Sequence, residues 1–123
     1  MTDELKYMQI TRLYTGTDDQ SHFENLQIEI VDKGPLGFLS KPYPTKSIIF
    51  RETDSEYDYD WHNAPQKQYV IILEGEVEIT VGNGEKRLFK TGDILLAEDL
   101  TGQGHKSRSP NKKRRYSIFI TVN

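Results

Sequence analysis

The chain contains no cysteine. This absence excludes disulfide bonds, catalysis by a thiolate and zinc sites built on cysteine ligands. Long hydrophobic runs are also missing, since no apolar stretch reaches the roughly 18 residues that a membrane-spanning helix needs. The first residues, MTDELKYMQI, lack the basic segment and the apolar core of a signal peptide. We therefore expect a cytoplasmic protein that does not associate with membranes.

The chain carries little excess charge of either sign. Its formal net charge is -3 at pH 7, which disfavours general nucleic-acid binding, because that function usually needs a strongly basic surface. The exception is the run NKKRRY at 111–116. It could bind phosphate or nucleic acid, but a solvated hairpin turn after Ser109 and Pro110 is the favoured interpretation.

The sequence predicts one all-β domain. Its length of 123 residues fits a single domain, 1–123, that can bury a core. No window shows a helical apolar stripe with caps, whereas apolar residues alternate with polar ones and turn signals recur every 8 to 12 residues or so. Such spacing is typical of a β-sandwich or β-barrel. The predicted strands are YMQITRLYT, LQIEIV, KSIIFRE, QYVIILE, EVEITV, KRLF, ILLA and the segment 116–122.

The segment QYVIILEGEVEI predicts how one strand faces the core. Gln68 lies on the same face as Val70 and Ile72, and the opposite face is apolar as well. One face would look into the barrel, and the other would pack against a second sheet or a second subunit. We therefore expect a homodimer. Gln68 becomes an interior amide, which must find partners or cost free energy.

The main candidates for a chemical role are the three histidines, His22, His62 and His105. His62 lies six residues before Gln68, and His105 follows the loop TGQG after the predicted strand ILLA. His22 lies in the polar segment SHFENL, and the sequence alone leaves open whether it joins the others.

Two stretches, at about 60–79 and 92–105, resemble the two motifs of the cupin family, small jelly-roll barrels. The matched positions are His62, Gln68, Gly75, Gly92, Asp93 and His105. The sequence of these two stretches is most similar to that of small single-domain bacterial cupins of unassigned function, which have an RmlC-like barrel. The resemblance implies a double-stranded β-helix with a polar site inside the barrel.

Metal-dependent cupins bind one divalent ion through four side chains, and the resemblance implies His62, Gln68 and His105 as ligands here. Ala64 stands where a second histidine is usual and cannot ligate. A zinc, manganese, iron or nickel ion would then have two imidazoles and a neutral amide, with no anionic ligand. The same three side chains could instead hydrogen-bond a small organic ligand without metal, or satisfy one another and bind nothing.

Further candidate residues flank these motifs. Trp61 could form a wall for a ligand, or lie at the rim or in a dimer interface. Glu98 could act with His105 as a general acid or base at the cavity mouth, or be an exposed loop acid. Arg51 could pair with an anionic substrate, or form a salt bridge to one of the many acidic residues.

The resulting functional hypothesis is a small-molecule-binding cupin. It includes a metal-dependent enzyme acting on a sugar-like or carboxylate compound. The alternatives are a non-catalytic ligand-binding or sensing module and a metal-free structural cupin.

Overall fold

The computed structural model describes residues 6–123, so the first half of the N-terminal segment considered above, residues 1–5, lies outside the described residues. Within residues 6–123 the regular structure consists of eleven strands and one short 3₁₀ helix, Gly34–Leu36. The strands are β1 (Lys6–Thr15), β2 (Ser21–Asp32), β3 (Phe38–Leu39), β4 (Ser47–Thr53), β5 (Asp58–His62), β6 (Gln68–Glu74), β7 (Glu76–Thr80), β8 (Lys86–Lys90), β9 (Ile94–Ala97), β10 (His105–Arg108) and β11 (Arg115–Thr121).

Two sheets face each other. The larger has seven strands in the order β3-β2-β1-β9-β6-β11-β4, and the smaller has four in the order β5-β10-β7-β8. All pairings are antiparallel except the short parallel pairing of β1 with β9. This confirms the predicted all-β jelly-roll fold. Across residues 6–123, no helix is both long enough and apolar enough to cross a membrane.

Two tight turns in the middle of the chain follow the sequence signals. Gly75 separates β6 from β7 with a φ of +103°, a conformation that glycine adopts without steric cost. The loop containing Asn83 and Gly84 joins β7 to β8, and the amide of Gly84 donates to the carbonyl oxygen of Val81. The chain thus reverses at an Asn-Gly pair, which is common in β-hairpin turns.

The two faces of β6 have different surroundings, as predicted. Gln68, Val70 and Ile72 line the space between the sheets, while Tyr69 and Ile71 lie on the outer face of the larger sheet. The apolar core between the sheets consists of Leu13, Ile72, Val77, Ile79, Val81, Phe89 and Leu95.

The alternation is inverted in the two neighbouring strands β4 and β11. Arg115, Ser117 and Phe119 point into the space between the sheets, whereas Ile120 lies on the outer face. In β4, Arg51 points inward and Phe50 is 74% exposed. Three polar residues of these strands, Arg51, Arg115 and Ser117, therefore face the interior together with Phe119, and Phe50 and Ile120 face outward.

The basic run 111–116 is only partly the solvated turn that its sequence suggests. Arg114 is exposed and pairs with Glu52, and Lys112 extends toward Glu56. Arg115 does not fit that interpretation, because only 4% of it is exposed. It is the first residue of β11, and its side chain enters the barrel.

Candidate functional site

A cavity of about 220 Å³ lies between the two sheets. Its walls are mainly apolar and come from both sheets: Val70, Ile72, Val77, Ile79, Phe89, Leu95, Ala97 and Phe119. Polar and aromatic side chains are grouped along β4, β5, β10 and β11: Arg51, Tyr57, Tyr59, His62, His105, Ser107, Arg115 and Ser117. A concave, mostly apolar space with a few polar groups is the usual form of a small-molecule site.

A β-bulge turns His62 into this cavity. His105 pairs with His62 and Ser107 pairs with Tyr59, so one residue of β10 faces two residues of β5 at this point. Without the extra residue, Tyr59 and His62 would lie on opposite faces. With it, both line the cavity. His62 is therefore the last residue of a strand and not a loop residue.

The rings of His62 and His105 are in contact, with centroids 4.3 Å apart. The Nδ1–H of His62 donates to the backbone carbonyl of Asp60 at 2.7 Å, which leaves Nε2 as an acceptor in the neutral ring. Burial lowers the pKa of His62 below the usual 6.5, and the neighbouring His105 lowers it further, against the raising effect of the Asp60 carbonyl. His62 is accordingly neutral at pH 7.

A buried carboxylate orients His105. Asp99 is fully buried, and its Oδ2 lies 2.5 Å from His105 Nδ1. A carboxylate oxygen accepts, so His105 donates Nδ1–H and keeps Nε2 as its free ring nitrogen. The hydroxyl of Ser21 donates to the same oxygen at 2.6 Å. Asp99 thus fixes both the tautomer and the orientation of His105.

A close backbone approach holds the two histidine-bearing strands together. Gly104 has a φ of +79°, and a Cβ placed on it would lie 2.0 Å from the carbonyl oxygen of His62. No side chain fits at this position without displacing β5 or β10. The contact between His62 and His105 therefore depends on glycine at 104.

Gln68 lies in the cavity wall as predicted, and it is 4% exposed. Its Oε1 is buried and accepts no hydrogen bond within residues 6–123. A buried amide oxygen without a donor costs roughly 1–3 kcal/mol, so a ligand that donates to it would gain affinity.

The side chains around the two histidines do not fit a divalent metal ion. Within the described part of the chain, no three His, Cys, Asp or Glu residues are grouped so as to hold one. Ala64 lines the cavity without offering a ligand atom, and Oδ2 of Asp99 is already bonded to His105 and Ser21. Arg51 and Arg115 add positive charge to the same cavity, and like charge opposes a cation. The remaining donors, two imidazoles and one amide, are neutral and leave the charge of such an ion unbalanced.

Arg51 and Arg115 both reach the cavity and both stack on Tyr57, with 5.2 Å from each guanidinium carbon to the ring centroid. The Tyr57 hydroxyl in turn lies 2.7 Å from that of Ser107. Burial, followed by the charge of Arg51, lowers the pKa of Arg115. The salt bridge expected for Arg51 is not found, because among residues 6–123 neither arginine is ion-paired with a carboxylate.

Glu98 lies outside the cavity, contrary to the expectation that it faces the mouth. Its carboxylate binds Arg12 at 2.5 Å and Lys67 at 2.9 Å. Burial alone would raise the pKa of Glu98, but the hydrogen bonds from these two cations outweigh that effect and lower it. An ionised, doubly paired carboxylate is a poor general acid, so its position gives no support to the predicted catalytic role.

Trp61 and His22 are also outside the cavity lining. Trp61 points outward, because the bulge that turns His62 inward turns the residue before it to the other face. It is 36% exposed, and the ammonium group of Lys106 lies over its ring. Its position agrees with the rim interpretation and not with a ligand wall. His22 pairs with Asp18, 2.9 Å away, and does not join His62 and His105.

Sequence reasoning missed Arg115, Tyr57 and Asp99. For Asp99 a signal was present, since the alternation that places Leu95 and Ala97 inward also places the next alternate residue inward. Arg115 gave no such signal, because an arginine inside a basic run is usually solvated.

The sequence of the chain matches a known protein family. The sequence profile described as "EutQ-like cupin domain" matches residues 46–116, which include β4 to β10 and the beginning of β11. A curated protein of Aspergillus oryzae, the oryzines biosynthesis cluster protein J, is 38% identical over 52 residues, or 42% of this chain and 27% of that protein. The match therefore spans about a quarter of that relative's length.

Several solved structures are similar. A putative ethanolamine utilization protein Q from Salmonella typhimurium is 14% identical with a TM-score of 0.48, covering 99% of this chain and 98% of its own. The cupin domain of Cnp3 from Schizosaccharomyces pombe is 13% identical with a TM-score of 0.47, covering 94% and 84%. A protein of unknown function from Streptococcus pyogenes is 18% identical with a TM-score of 0.49, covering 68% and 69%.

Proposed function

Because the chain belongs to the family of EutQ-like cupin domains, we propose that its barrel cavity binds a small organic molecule through His62 and His105. The observation that carries this proposal is the contact between the two imidazoles in the wall of an otherwise apolar cavity. Each ring has its Nδ1 bonded within the protein. Nε2 is therefore the ring nitrogen available to a ligand.

The pair supports acid–base chemistry on a bound ligand. A neutral imidazole that donates Nδ1–H uses Nε2 as a hydrogen-bond acceptor or general base. The buried carboxylate of Asp99 holds the Nδ1 side of His105, so that Nε2 is the nitrogen that can accept a proton from a ligand. Gln68 Oε1 would accept a hydrogen bond from the same ligand. The activity that fits these groups is proton transfer on a small polar compound.

The alternatives use the same cavity differently. A metal-dependent enzyme would lack its fourth ligand, because Ala64 stands where a second histidine is usual, and that argues against it. Metal analysis of protein purified without a histidine tag separates the two, and we expect no stoichiometric first-row metal and no protection against heat by zinc, manganese, iron or nickel. A non-catalytic binding or sensing module differs only in that the bound compound is released unchanged.

The test is a thermal-shift screen over sugars, uronates, keto acids and simple carboxylates. We expect at least one compound to raise the melting temperature of the wild type and to lose this effect with His105→Asn. Asparagine can still donate to Asp99 from a position near that of Nδ1, so this variant removes Nε2 while keeping the fold.

His22→Asn is the matched control, because that histidine pairs with Asp18 outside the cavity. It should keep every ligand effect of the wild type. If no compound in the panel shifts the wild type, or if His105→Asn responds as the wild type does, the proposed site is wrong.

A further inference from the structure

Two arginine side chains from neighbouring strands extend into the same cavity. Arg51 of β4 lies opposite Ser117 of β11, and Arg115 of β11 lies opposite Thr53 of β4. Both guanidinium groups stack on the ring of Tyr57. They are therefore near neighbours that share one aromatic side chain.

Neutral groups hold one of these cations in place. The guanidinium of Arg115 donates to the carbonyl of Glu76 at 3.2 Å and, more weakly, to the hydroxyl of Thr53 at 3.5 Å. These bonds fix its orientation and leave its charge unmatched. The side chain of Arg51 makes no hydrogen bond to any residue between 6 and 123 and contacts the rings of Tyr57 and Phe119 instead.

Such an arrangement is electrostatically unfavourable when the cavity is empty. Arg115 is 4% exposed, and proteins normally pair a buried charge with a counter-ion. Here burial lowers the pKa of Arg115, and the charged side chain that lowers it further is another cation, Arg51. An anion entering the cavity would relieve both the desolvation and the repulsion, whereas a neutral sugar would leave the cations unmatched.

We propose that Arg51 and Arg115 bind the carboxylate of a small organic acid whose apolar body lies along the cavity wall. The inference rests on the proposed function, since it assigns the ligand class of the same cavity. Planar guanidinium groups match a carboxylate through paired N–H donors. The surrounding Val70, Phe89 and Phe119 can pack against the apolar part of such an acid.

Isothermal titration calorimetry with matched acids and amides tests this assignment. The probes are acetate, butyrate, hexanoate and benzoate, each paired with its primary amide, together with inorganic phosphate and glucose. The variants are Arg51→Gln and Arg51→Lys. Arg114→Gln is the control, because it removes the same charge from an exposed residue paired with Glu52 outside the cavity.

We expect at least one acid to bind about tenfold or more tightly than its amide. Arg51→Gln should lose about tenfold in that affinity, Arg51→Lys should retain part of it, and Arg114→Gln should bind as the wild type does. Since Arg115→Gln could fail to fold, its melting temperature is measured with and without the acid. A stable Arg115→Gln variant should lose the protection by the acid.

Other outcomes overturn the assignment. If an amide binds as tightly as its acid, or if glucose binds and the acids do not, the anion site is wrong while binding in the cavity stands. If phosphate binds as tightly as the best acid, the ligand class is phosphate and not carboxylate. If no probe binds and the thermal-shift screen is also negative, both the assignment and the proposed function fail.

Discussion

His62 and His105 place their ring centroids 4.3 Å apart across the pairing of β5 with β10. A bulge in β5 and the absence of a side chain at Gly104 produce this contact. Bulges of this kind frequently re-aim a side chain next to a functional site. The contact gives the cavity a polar wall in which both imidazoles are oriented by acceptors within the protein.

Removing the carboxylate behind His105 should weaken the fold. Asp99→Ala leaves the hydroxyl of Ser21 and the Nδ1–H of His105 buried without an acceptor, which should reduce the free energy of unfolding by about 2–4 kcal/mol. Urea denaturation measures this loss. Asp18→Ala removes an exposed carboxylate that pairs with the half-buried His22 and accepts from the Gln20 amide, and it should lower the midpoint less than Asp99→Ala does. Equal midpoints for the two variants would contradict the role assigned to Asp99.

Adding one methyl group at Gly104 should separate the two histidine strands. Gly104→Ala places Cβ against the carbonyl oxygen of His62, whereas Gly84→Ala meets no atom within 4 Å. Both glycines have positive φ, so the second variant controls for the backbone cost of roughly 1 kcal/mol. We expect a clearly larger loss of thermal stability for Gly104→Ala. Similar losses would mean that the close approach has no energetic consequence.

The ion pairs of Glu98 predict a pH dependence. Burial would raise its pKa, but the hydrogen bonds from Arg12 and Lys67 lower it from 4.5. Because the folded pKa lies below the unfolded one, the stabilisation is present above pH 4.5 and is lost as pH falls through the folded pKa. Glu98→Gln should therefore be less stable than the wild type near neutral pH, and the difference should shrink in acid. A difference that is constant with pH in urea denaturation would contradict this account.

The homodimer expected from β6 stays a prediction. Tyr69 and Ile71 lie in an apolar groove on the outer face of the larger sheet, beside Met8, which is 50% exposed. Sedimentation at micromolar concentration should show a dimer, because a second copy would cover this apolar face. Met8→Glu should shift the equilibrium toward monomer. Leu88→Glu, at a similarly exposed leucine of the smaller sheet, should not, and a monomeric wild type would rule out the dimer.

The fold and part of the site could be predicted from the sequence, because period-two alternation and turn residues act locally. The alternation in β6 placed Gln68 correctly in the cavity wall. Motif spacing brought His62 and His105 to one site, although the bulge that aims His62 is set by its pairing with β10. No local pattern in DYDWH distinguishes the bulged strand from a regular one.

The arginines show where such reasoning stops. A strand that alternates apolar and polar residues normally buries its apolar face. In β4 and β11 the polar face is inside, since Arg51, Arg115 and Ser117 line the cavity. Only the pairing of these strands with each other and with β6 reveals the inversion. The inward-facing arginines are the groups on which the proposed anion site depends.

A crystal structure of the protein grown with the tightest-binding carboxylate tests the central claim most directly. The account predicts density for the acid inside the barrel, with its carboxylate between Arg51 and Arg115 and its remaining atoms within reach of His62 and His105. Density for the acid only on the outer surface, with the cavity closed by side chains of the two sheets, would contradict it.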